Sequence, residues 1–154
     1  MIAESAISAS HNDYLFAVGW RAEEDFLRLA SARGLSAENC ASRRKAYDFV
    51  VNGFRVQVKH RTCKSSAVIQ LCKARRPGEP KLAYYRDEFD ILALRCDGVW
   101  YLIDAKTLVA EDGDTLINNL NPSHYKEFIE NWGVFTDEGV RRNSPQLLLK
   151  FDSQ

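Results

Sequence analysis

Two short turn signals constrain this chain more than anything else in it. Asn52-Gly53 stands between AYDFVV and FRVQVK, and Cys96-Asp97-Gly98 stands between FDILAL (89–94) and VWYLID (99–104). Asn-Gly and Asp-Gly accept the positive φ that a two-residue hairpin loop demands, and each pair is flanked by apolar runs of strand length. Each therefore predicts an antiparallel hairpin. AVIQL (67–71) predicts a further strand, and Cys72 to Arg86, interrupted by Pro77, Gly78 and Pro80, reads as a basic loop. An amphipathic stretch from Asp13 to Arg33 predicts a first helix that stops at Gly34. Asn121-Pro122 predicts the N-cap and first residue of a second helix running to about Trp132. QLLLKF near the end reads as a last strand or a docking segment. The order predicts an α/β domain whose mixed, mainly antiparallel sheet is flanked by helices.

A chain of 154 residues, 45% apolar and 27% charged, has the size and composition of a single globular domain. We expect a core over about 13–104 and an oligomer contact within 105–154. No apolar run approaches the roughly 18 residues of a membrane helix, and MIAESAISASHNDY lacks the features of a signal peptide. Cys40, Cys63, Cys72 and Cys96 form no CxxC pair, so they read as reduced, apolar-filling thiols of a cytoplasmic protein. The net charge of zero hides a split. Residues 21–81 carry fourteen Lys and Arg against six Asp and Glu, which points to a polyanion-binding face.

The first hairpin is where chemistry enters. A two-residue loop sets Val51 against Phe54, and regular pairing then brings Asp48 opposite Gln57 on one face, with Lys59 two residues further along it. Phe49, Val51, Phe54, Val56 and Val58 fall on the other face, the expected core side. The apolar stripe of the first helix, Gly19, Ala22, Phe26, Leu27 and Ala30, includes Glu23 but not Glu24. An inward carboxylate is costly without a cation. Glu23, Asp48, Gln57 and Lys59 around one point describe a hard-cation site suited to magnesium. Asp48, the Gln57 side-chain oxygen and the Val58 carbonyl are its candidate ligands, with Glu23 assisting. Lys59 is placed to orient or deprotonate an attacking water, and to balance charge at a phosphate. The plainer reading makes Asp48–Lys59 a surface ion pair and Glu23 a structural partner of Arg44 or Lys59. His11, His60 and His124 lack base–nucleophile spacing. Tyr84, Tyr85, Trp100 and Tyr101 are read as packing residues ahead of base stacking.

Gly19-x-x-Ala22-Glu23, Tyr47-Asp48 and Gln57-Val58-Lys59 resemble, in order and spacing, the PD-(D/E)XK nuclease superfamily. More narrowly they are similar to the group I intron homing endonucleases of cyanobacteria, in which glutamine replaces the second acid. The resemblance spans residues 19–104, with Tyr47 where the superfamily name has proline. It implies a magnesium-dependent (or manganese-dependent), sequence-specific endonuclease acting on double-stranded DNA as a homodimer or homotetramer. A Holliday-junction resolvase, a restriction or repair nuclease, or a non-catalytic DNA-binding module on a decayed nuclease fold are the alternatives. Arg43, Arg44, Lys45, His60, Arg61, Lys64, Lys73, Arg75, Arg76 and Lys81 flank the site in sequence, as a phosphate-tracking groove requires.

Overall fold

The computed structural model describes residues 21–40, 46–61, 68–73, 78, 80 and 82–136. A helix, α1, covers residues 21–32. It ends in a Schellman turn: the Leu35 N–H donates to the Ala30 carbonyl at 3.0 Å, the Gly34 N–H to Ser31, and Gly34 adopts φ 73°. The predicted start of this helix before residue 21 and the QLLLKF tail lie outside the described residues.

Five strands form one mixed sheet in the order β1-β2-β3-β5-β6: β1 Ala37–Asn39, β2 Phe49–Val51, β3 Phe54–Arg61, β5 Ile91–Cys96 and β6 Val99–Asp104. Only β3 and β5 run parallel; the other neighbours are antiparallel. The remaining strands, β4 Ile69–Gln70 and β7 Asn119–Leu120, pair with each other in a small second sheet. Both predicted hairpins are present. Asn52 and Gly53 have φ 48° and 87°, and Asp97 and Gly98 have φ 51° and 80°, the signature of tight hairpin turns.

The sheet is buried on both faces, which explains the unbroken apolar run of β5. Phe49, Val51, Phe54, Val56 and Val58 pack with Ile91, Ala93, Trp100 and Leu102 against Ala22, Phe26 and Ala30 of α1. Phe26 is fully buried, with the rings of Phe49, Trp100 and Trp132 5.4–5.7 Å away. On the other face Leu92, Leu94 and Ile103 pack against Leu71, Tyr84, Phe89, Leu116 and Leu120. Gln57 and Lys59 project from β3 toward this second layer. At the far end of β3, the Arg55 guanidinium bridges Asp90 at 3.1 and 3.2 Å, tying β3 to the start of β5.

Three expectations change. The second predicted helix is 3-10 rather than α: Asn121 caps it by accepting from the Ser123 N–H, but Pro122–Phe128 is kinked at Tyr125. Glu130, at φ 51°, separates it from a further 3-10 turn, Trp132–Phe135. Residues 82–85 are not simply loop, since Leu82 accepts from the Lys73 N–H, Tyr84 from Leu116, and Tyr85 bridges Thr115. Cys40 and Cys72 are free thiols, but Cys96 is disulfide-bonded, correcting the reading of four reduced cysteines. No described helix is long and apolar enough to cross a membrane.

The hairpin tip also anchors its surroundings. Asn52 Oδ1 accepts from the Ser36 N–H at 2.9 Å, and Asn52 Nδ2 donates to the Phe135 carbonyl at 3.1 Å. Asn52→Ala should therefore cost about 2 kcal/mol in urea unfolding, from two lost hydrogen bonds and a disfavoured positive φ. Asn52→Gly loses the same two bonds but tolerates the positive φ, so it should lose less; no loss in Asn52→Gly would make the side-chain bonds irrelevant.

Candidate active site

The site is built where the first hairpin departs from a regular ladder. Pairing of β2 with β3 follows the predicted register from Val51–Phe54 to Phe49–Val56 and then stops. Had it continued, the Val58 N–H would meet the Tyr47 carbonyl. Instead it donates to Asp48 Oδ2 at 2.9 Å. The Asp48 N–H turns to the Val56 carbonyl at 2.8 Å, and the Asp48 carbonyl accepts from Cys40 at 2.7 Å. Asp48 is thus not the simple cross-strand partner of Gln57, as regular pairing predicts. It is a bulge-like residue whose carboxylate reaches across to β3.

Lys59 and Glu23 lie within electrostatic reach of Asp48. Lys59 is partly buried, its Nζ donating to the Cys72 carbonyl at 3.3 Å and lying 5.4 Å from the centre of the Tyr84 ring. Gln57 is only 9% exposed, and its Nε2 donates to the Val58 carbonyl at 3.2 Å. That contact turns the Gln57 side-chain oxygen away from the Val58 oxygen. Glu23 is half-buried where its neighbour Glu24 is exposed, the helix phase expected from the sequence. Asp25 of the same helix pairs with Arg95 of β5 at 2.9 Å and so fixes α1 against the sheet.

The electrostatics show charges short of compensation. Burial pushes the Asp48 carboxyl above its ordinary value, against the opposing pull of the Val58 N–H and Lys59. Burial raises Glu23 as well, and the Asp48 charge adds to it. Desolvation lowers Lys59, helped by Arg61 and opposed by Asp48. Burial, reinforced by Asp48, holds the Tyr84 phenol far above its usual value, so that side chain stays neutral. Among the described residues no cluster of three or more His, Cys, Asp or Glu is placed to hold a metal ion. The oxygen donors at hand are two carboxylates, one amide and the Val58 carbonyl.

Of the basic residues, His60, Arg61 and Lys73 are described; Arg43, Arg44, Lys45, Lys64, Arg75, Arg76 and Lys81 lie outside. Arg61 Nη1 donates to the His60 carbonyl at 2.7 Å. His60 is driven below its ordinary value by burial and by Arg95 and Arg61, and its buried Nδ1 has no hydrogen-bond partner among the described residues. Lys73 is engaged by Glu88 and lies over the Tyr85 ring. Sequence reasoning missed the Cys72 carbonyl and the Tyr84 ring. Both meet Lys59 through long-range folding of a segment read as loop, and neither has a local sequence signal.

No family model and no curated protein matches the sequence. The chain is similar in structure to a solved bacterial homing endonuclease, I-Ssp6803I. The TM-score is 0.56, at 16% identity over 79% of this chain and 93% of that one. That likeness establishes the fold, an α/β nuclease-like core with a mixed five-stranded sheet.

The raised carboxyls give a signed prediction. An acid whose folded pKa exceeds its unfolded one favours the fold most at low pH, and that contribution is lost as pH rises through the folded value. At neutral pH both charges therefore weaken the apo fold. Asp48→Asn, which keeps an oxygen for the Val58 N–H, should raise the melting temperature at neutral pH and flatten its fall above the ordinary carboxylate range. Glu23→Gln should do the same. Destabilisation of both variants at neutral pH, in thermal unfolding followed against pH, would mark these carboxylates as structural ion-pair partners instead.

Proposed function

We propose that the chain is a metal-dependent, sequence-specific DNA endonuclease of homing type, hydrolysing phosphodiester bonds through Asp48, Gln57 and Lys59 with Glu23 assisting. One observation carries the reading. The Asp48 carboxylate is fixed onto β3 by the Val58 N–H, next to a desolvated Lys59 and an inward Glu23. The fold supports it, being that of a protein described as a bacterial homing endonuclease.

Magnesium, with manganese as the alternative, is the proposed cofactor. The donor set fits: every candidate ligand is a hard oxygen, and burial makes each carboxylate costly to ionise, a cost that a nearby cation would offset. Magnesium commonly takes one or two carboxylates and leaves its other positions to water and substrate phosphate, so a third acid is not required. Asp48 and the Val58 carbonyl would hold it, joined by the Gln57 side-chain oxygen once the amide turns over from the orientation in which its Nε2 donates to Val58. Held by these groups, such an ion would supply Lewis-acid polarisation of the phosphate and a stronger water nucleophile. Lys59 contributes a cation beside the scissile phosphate, with its ammonium anchored by the Cys72 carbonyl. Glu23 orients the attacking water from the helix side.

The substrate in this reading is double-stranded DNA. Arg43, Arg44, Lys45, His60, Arg61, Lys64, Lys73, Arg75, Arg76 and Lys81 are the proposed backbone contacts. One chain carries one such site and a duplex has two strands, so the working unit is a homodimer or homotetramer joined through residues 105–154. Sedimentation would check this, a strict monomer on DNA being the contrary result. The cytoplasm remains the proposed location on the DNA substrate alone, since the Cys96 disulfide removes the argument from reduced thiols.

A randomised duplex library incubated with the protein and Mg²⁺ should be cut at a defined sequence. EDTA should stop the reaction, and Lys59→Ala should abolish cleavage while leaving DNA binding largely intact. Sequence-selective retention without cutting would replace the reading with a non-catalytic binding module. Neither cutting nor retention by folded protein would remove DNA from the account.

A further inference from the structure

Lys59 leaves β3 on the face where Tyr84 is packed, and its Nζ has two described contacts: the Cys72 carbonyl at 3.3 Å and the face of the Tyr84 ring at 5.4 Å. Both are electron-rich and neutral. A lysine side chain has four flexible bonds and loses much rotamer freedom when fixed, so a dry lysine needs such a seat if its ammonium is to stay in one place. The Tyr84 ring is itself rigidly mounted. It is 4% exposed, packs edge-on against Phe89 at 5.1 Å, and its own carbonyl accepts from the Leu116 N–H at 2.8 Å. The next residue repeats the device outward, since Tyr85 is 55% exposed and Lys73 lies over its ring. Adjacent tyrosines on opposite faces of one extended segment thus each seat a lysine. Only the inner seat belongs to the site.

We propose that Tyr84 is a positioning residue for Lys59: its ring face, together with the Cys72 carbonyl, fixes the ammonium toward the phosphate that Asp48 and its neighbours address. The proposal rests on the nuclease reading and adds to it a residue more than twenty positions downstream of Lys59. It assigns the work to the ring and none to the hydroxyl. A cation over an aromatic face is attracted by the ring quadrupole, most strongly where water is excluded.

Three variants and one control test this on the full chain. Tyr84→Phe keeps the ring and should cleave DNA at the wild-type rate. Tyr84→Leu removes it and should lower kcat by about a hundred-fold with KM for DNA unchanged, the usual scale for a misplaced catalytic group. Tyr84→Met serves in its place if the leucine variant does not fold. Phe89→Leu, which loosens the mount without removing the ring from Lys59, should lose stability but keep most of kcat. The ¹³C–¹H resonances of the Lys59 side chain should move in Tyr84→Leu and stay put in Tyr84→Phe. Equal kcat in folded Tyr84→Leu and wild type overturns the positioning role while leaving the nuclease reading intact. A loss in Tyr84→Phe as large as in Tyr84→Leu also overturns it, by assigning the role to the hydroxyl. A wild-type protein that cuts no DNA with any divalent ion overturns both.

Discussion

The hydrogen bond from the Val58 N–H to the Asp48 carboxylate is the interaction on which the rest of the site depends. It stands where a backbone carbonyl would complete an ordinary hairpin ladder, so one side chain takes over a main-chain position. With Asp48 also bonded through its N–H to Val56 and through its carbonyl to Cys40, the residue joins β3 to the segment after β1 and has little freedom to swing. The same break releases the Val58 carbonyl from strand pairing, leaving it to the Gln57 amide. A local fault in the sheet thereby produces a fixed carboxylate and an available carbonyl side by side, which is how β-bulges often serve functional sites.

Around that point the protein tolerates charge that burial disfavours. Asp48 and Glu23 are pushed above their ordinary values and Lys59 below its own, each chiefly through desolvation. Their neutral neighbour has a physical rationale in the same terms. Position 57 is buried at the edge of the second core layer, and a third carboxylate there would add repulsion to two acids already costly to ionise. Glutamine supplies an oxygen without that charge, and its nitrogen satisfies Val58. Arrangements that weaken the apo fold in this way are characteristic of sites that await a ligand.

Much of this architecture was legible in the residues. Asn52-Gly53 and Asp97-Gly98 placed both hairpins, because few other residues accept those backbone angles, and the alternation of FRVQVK separated Val56 and Val58 from Gln57 and Lys59. Helix periodicity chose Glu23 over Glu24. The failures have common causes. Three-residue β1 is too short to show a period, and the Asp48 break cannot be seen in a pattern that assumes an unbroken ladder. The residues after Asn121 carry good capping signals, yet the positive φ of Glu130 and the kink at Tyr125 come from packing against β6 rather than from composition. Tyr84 joined the site through a pairing with residues 115–116 that nothing near it in sequence announces.

In the proposed reading, Asp48 and its neighbours form a divalent-cation site completed by DNA. Calorimetric titration of Mn²⁺ into the protein–DNA complex measures it most directly, with wild type, Asp48→Asn and Glu23→Gln compared under identical conditions. Wild type should bind saturably, Asp48→Asn should lose that binding and Glu23→Gln should weaken it, with tighter binding when DNA is present. Binding in Asp48→Asn equal to wild type, or no binding in any complex, would contradict that reading.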